Sequence, residues 1–90
     1  MPYIKPEDRD LYDPLIAPLR SMLGKKGNPS GDMNYVITKL ILGAWKDTPR
    51  YDTIARIDGV LRGVSSEFYR RVAAPYEDKK IAENGDVYGN

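Results

Sequence analysis

The chain has 90 residues, 41% of them hydrophobic and 30% charged, with a formal net charge of +1 and neither cysteine nor histidine. That length makes one domain with a thin core. The missing residue types exclude disulfides, zinc–thiolate centres, imidazole metal sites and Ser-His-Asp triads, and so small a net charge gives no global field toward nucleic acid or acidic partners.

In chain order, residues 1–4 read as a short tail, with Tyr3 and Ile4 expected to dock on the helices. Glu7, Asp8 and Asp10 stand where a signal peptide would place its apolar run, and no long apolar run occurs elsewhere. A soluble, cytoplasmic protein with no membrane segment is expected. Pro6-Glu7-Asp8 has the form of a first helical turn, with proline early and carboxylates at the positive end of the dipole. Asp13-Pro14 repeats that signal, so the first helix is expected in two pieces, about 6–12 and 14–23. Leu11, Leu15, Leu19, Met22 and Leu23 form its stripe, and Pro18 falls near the first turn of the second piece, where it is better tolerated. Residues 24–31 (Gly-Lys-Lys-Gly-Asn-Pro-Ser-Gly) are a loop by composition and the expected flexible segment. Asp32 then caps a second helix, 33 to about 45, whose wide stripe is Met33, Val36, Ile37, Leu40, Ile41 and Ala44. Asp47-Thr48-Pro49 is a short turn.

Residues 50–84 read as one long helix. Ile54, Ile57, Leu61, Val64, Phe68 and Val72 step by three or four, the spacing of one helical face. Thr48 and Pro49 suit N-cap and first position, and Asn84-Gly85 suits the stop. Pro75 predicts a kink near 71–74, with a new short helix over 76–84 as the alternative. Residues 86–90 form a short tail. The other side of the long helix carries Ala55, Gly59, Gly63, Ser66 and Ala73. Glycine in a helix interior costs about 1 kcal/mol relative to alanine, so this face is read as a place where a second backbone packs closely; the plainer alternative is tolerated surface glycine. Arg56, Asp58, Arg62 and Glu67 exclude a membrane Gly-x-x-x-Gly dimer motif.

Lengths sharpen the picture. At about 1.5 Å per residue the second helix spans roughly 20 Å and an unbroken long helix roughly 50 Å. Two short helices leave Phe68, Val72 and Tyr76 partly bare, so a homodimer through the distal half of the long helix is expected. A monomeric mass across the micromolar range would refute it.

Chemistry candidates are few. Glu77-Asp78-Lys79 matches an acid-x-Lys nuclease triplet by letter, but it sits in a helical stretch beside a proline and reads as a solvated helix face. The acidic groups at 7–10 and at Asp32 and Asp47 read as caps and surface. The glycines and lysines of 24–31 lack the P-loop spacing and a preceding strand. Residues 53–60 and 65–72 imitate a helix-turn-helix with Arg70 and Arg71 on the second helix. The stripe, however, runs in phase through Gly59 and Gly63, and Glu67–Arg71 and Asp52–Arg56 have the spacing of helix-stabilising pairs. The seven tyrosines are scattered through every element, as rim packing or interface residues.

Met1-Pro-Tyr-Ile-Lys, Asp32-Met-Asn-Tyr-Val-Ile-Thr, Glu67-Phe-Tyr-Arg-Arg-Val, Ala74-Pro-Tyr-Glu-Asp-Lys-Lys-Ile and Glu83-Asn-Gly-Asp-Val-Tyr resemble a family of short uncharacterised bacterial and phage proteins, a domain of unknown function. The similarity covers nearly the whole chain, although the 24–30 loop is longer than that family suggests. It implies a small intracellular domain and transfers no active site.

The expectation is therefore a single all-α domain over 1–90: a helical hairpin packed on a long C-terminal helix kinked near Pro75. Its expected role is a non-enzymatic protein–protein interaction or assembly module, self-associating, with no cofactor and no metal. Phe68, Tyr69, Arg70, Arg71, Val72 and Tyr76 are the expected interaction residues, aromatic anchors beside arginines. The alternative is nucleic-acid binding through Arg56, Arg62, Arg70 and Arg71, with an affinity that falls steeply with salt.

Overall fold

The structure is a computed structural model that describes residues 2–89. Met1 of the expected N-terminal tail and Asn90 of the expected C-terminal tail lie outside the described residues. The described chain is all-α: α1 (Pro6–Met22), α2 (Pro29–Asp47), α3 (Tyr51–Phe68), a π turn (Tyr69–Ala73) and α4 (Ala74–Asn84). It divides into two compact units, Met1–Ile57 and Asp58–Asn90.

In the first unit, α1 is one helix where two pieces were expected; Pro14 and Pro18 both lie inside it. Each proline removes one backbone donor. Four residues apart, the two fall on one side of the helix. Asp10, Pro14 and Pro18 are all exposed, so water can hydrate the carbonyls left without an amide partner. The Arg9 guanidinium donates to the Ile4 carbonyl at 2.9 Å, holding the tail against the start of α1.

α1 closes at Leu23, and Gly24 follows with φ +81°. A Cβ there would sit 3.0 Å from the Pro29 side chain, so the turn takes glycine on both counts. α2 starts four residues earlier than expected, at Pro29 rather than 33, because Asn28 is its cap: the Asn28 side chain accepts from the Gly31 amide at 3.1 Å. Pro29 takes the first helical position, where a missing donor costs nothing. Asp32, expected as the cap, instead accepts from the Gly24 amide at 3.1 Å and ties the turn to the helix. The loop thus shrinks to 24–28.

The α2–α3 corner is the better buried end of this unit. Thr48 closes α2, and α3 begins at Tyr51, with the Arg50 carbonyl accepting its first helical bonds from Thr53 and Ile54. Thr48 and Pro49 therefore lie outside the helix they were expected to open. Thr53, only 5% exposed, donates its hydroxyl to the Thr48 carbonyl. Trp45, Ile41 and Ile57 are half-buried around this corner. α1 and α2 do not pack closely along one another.

In the second unit the helix continues through Pro75 without a break. The local answer to the proline is the π turn just before it, where the Ala74 amide bonds the Tyr69 carbonyl five residues back. Pro75 has no amide to offer the carbonyl four residues behind it and would crowd that carbonyl in an ordinary turn; widening the turn by one residue relieves the clash. α4 ends as expected at Asn84, with Gly85 at φ +91° and its amide bonding the Ile81 carbonyl at 2.8 Å.

Candidate interaction surface

Among the described residues no hydrophobic side chain is buried. The helices are amphipathic, yet their apolar faces are open. In the second unit the open face is continuous: Leu61, Val64, Phe68, Val72 and Tyr76 are 41–62% exposed.

The π turn bears on how these five align. From Val64 onward the stripe steps by four, and each such step drifts about 40° around an α-helix of 3.6 residues per turn. A turn that takes one extra residue offsets that drift. Because Tyr69–Ala73 is a π turn, Val72 and Tyr76 stay near the line of Val64 and Phe68 instead of spiralling away. Proline and stripe are coupled: the residue that forces the wider turn also keeps the distal apolar face in register.

Of the expected interaction residues, Phe68, Tyr69, Val72 and Tyr76 are all exposed. Arg70 holds Glu67 at 2.8 Å, and Arg71 is exposed on the same turn. The Tyr69 hydroxyl faces the Glu77 carboxylate, whose capacity to accept its proton in a hydrogen bond, and then whose negative charge, raise the phenol above the usual tyrosine range. The Lys80 ammonium lies 5.5 Å over the Tyr76 ring. Tyr76 and Lys80 are four apart, the spacing at which helical side chains meet, so this extension of the site was within reach of the same rule that found the stripe.

The proposed close-packing face differs in character. A Cβ built on Gly59 or Gly63 would meet nothing within 4 Å. Ala55 and Ser66 are exposed, and Ala73 is half-buried beside the π turn. Residues 51–68 form a single helix through Gly59 and Gly63, so neither glycine makes the turn of a helix-turn-helix.

Two of the hollows among the described residues have largely apolar walls. One of about 390 Å³ lies at the α1–α2 turn, walled by Leu19, Met22, Tyr35 and Val36 with Lys25 and Lys26 on its rim. The other, about 550 Å³, lies between α4 and the tail and includes Tyr69, Glu77, Ile81 and Tyr88. No group of three or more acidic residues is placed to hold a metal ion among the described residues. Among them, too, no helix is long and apolar enough to cross a membrane.

A family described as a domain of unknown function (DUF6899) matches residues 1–87. Comparison with curated proteins and with solved structures gave no match.

Proposed function

The chain belongs to the DUF6899 family, and we propose that it is a non-enzymatic assembly module that associates with itself in the cytoplasm through the stripe around Phe68, Val72 and Tyr76. One observation carries this: among the described residues no hydrophobic side chain is buried, and Leu61, Val64, Phe68, Val72 and Tyr76 are all exposed.

A second copy suits the chain's charge as well, since a net charge of +1 sets up little repulsion between copies. In proteins most helical stability comes from a covered apolar face rather than from propensity, and α1, α2 and the continuous run from α3 to α4 have such faces to cover. The non-enzymatic reading rests on composition, which offers neither histidine nor cysteine for proton or nucleophile chemistry. A bacterial or phage setting comes from the resemblance and goes with a small, self-contained assembly unit.

Solution mass across a concentration series is the test. A dimer or higher species that dissociates on dilution, with helix content falling alongside, is expected. A monomer of full helix content at every concentration would refute it.

A further inference from the structure

Resting on that self-association reading, we infer that two copies pair antiparallel about a two-fold axis beside Val72, each laying its basic turn along the other's acidic helix. The apolar stripe alone fits either direction, and charge decides between them. In the second unit, residues 58–74 carry a net +1, with Arg62, Arg70 and Arg71 outnumbering Asp58 and Glu67; residues 75–90 carry −2. Parallel pairing sets like against like along the whole length. Antiparallel pairing sets positive against negative twice, once on each side of the axis. Exposed ion pairs are individually weak, so they select direction, while the apolar stripe supplies most of the affinity.

The stripe itself places the axis. Phe68 and Tyr76 stand four residues to either side of Val72, so a two-fold at Val72 lays Phe68 of each copy on Tyr76 of the other. Four residues further out, Val64 meets Lys80. The Lys80 ammonium already lies over the Tyr76 ring, which leaves its methylene stem to cover the valine. Arg71 then comes within side-chain reach of Asp78 of the other copy. All of this depends on the π turn (Tyr69–Ala73), which holds both halves of the stripe on one line.

The absence of cysteine makes cross-linking a clean test, because an introduced thiol is the only one present. A disulfide forms only where Cα atoms come within about 4.4–6.8 Å. Under mild oxidation Val72→Cys is expected to link to itself across the axis. Val64→Cys alone and Lys80→Cys alone are expected to stay reduced, and a mixture of the two to cross-link. Arg71→Glu should weaken association at least several-fold, and adding Asp78→Arg should restore it. Same-position links at 64 and 80 would mean parallel pairing and overturn the inference while leaving self-association intact. A dimeric mass with no link at any of these positions would place the interface elsewhere and also overturn it. A chain monomeric at every concentration would bring down the assembly reading beneath it.

Discussion

Phe68→Ala is the most direct perturbation of the stripe. Phe68 is 62% exposed in the single chain, so that share is left for an interface to cover. Burying a whole Phe side chain stabilises by about 1.5–3 kcal/mol, which makes the outstanding share about 1–2 kcal/mol per copy. A symmetric dimer presents the residue twice, giving about 2–4 kcal/mol per dimer, or a roughly 30- to 700-fold weaker dissociation constant. Sedimentation equilibrium over a wide loading range, read beside far-UV circular dichroism, measures it. At saturating concentration the variant should show the helix signal of the parent, because Phe68 is largely exposed within its own chain; only the dilution midpoint should move. Val60→Ala is the control: Val60 is 59% exposed on the same helix but at the margin of the stripe, about 80° around the helix from Phe68. A Phe68→Ala constant within twofold of the parent, or an equal loss from Val60→Ala, would refute the reasoning.

Other perturbations separate the remaining features. Gly59→Ala, made into open space on a helix, should stabilise the protein by about 0.5–1 kcal/mol; a lower thermal midpoint would reveal a close neighbour on that face. Thr53→Val removes the hydroxyl bonded to the Thr48 carbonyl and should cost about 1 kcal/mol in urea unfolding, with Thr53→Ser nearer the parent. Because the Tyr69 phenol is raised above its usual value of 10.0 by Glu77, the stabilisation it brings is complete below that pH and is lost as the pH rises through the raised value. Phenolate absorbance should therefore show a late-titrating component that Tyr69→Phe removes and Glu77→Ala moves down. Pro75→Ala returns a backbone donor and lets the π turn relax to α. Helix content should hold or rise while association weakens, because the distal stripe rotates away; unchanged association would disconnect the turn from the interface.

Periodicity made the helices legible, since steps of three and four need no knowledge of what lies opposite. The boundaries were harder for a local reason. Asn28-Pro29 carries the same cap-then-proline signal as Asp13-Pro14, but glycines and lysines surround it, and the carboxylate of Asp32 stands nearer the start of the periodic stripe. At Asp13-Pro14 the same signal falls inside one helix, because a proline pair on one exposed side can be absorbed by water without ending a helix. Pro75 announced a disturbance but not its form: a π turn depends on whether the helix beyond the proline is worth continuing, which no window of a few residues contains. As for the site, Phe68, Val72 and Tyr76 were legible as a stripe that short helices could not cover. The Tyr69–Glu77 bond was not, since an eight-residue separation faces the same way only when a turn is widened.

The open apolar faces carry a consequence for the life of the protein in a cell. Among the described residues Leu15, Leu40 and Phe68 stand open, so under the self-association proposed above a copy that has not yet met another would offer proteases unprotected helices and chaperones unprotected side chains. Survival then depends on encounter, and encounter on the square of copy number. Such a chain would keep its own census: sparse copies would be cleared, and a population above the proposed dimer's dissociation constant would endure. Expression level would act on it as a threshold, and overproduction of a truncated copy retaining residues 58–90 would poison the intact form by occupying its stripe.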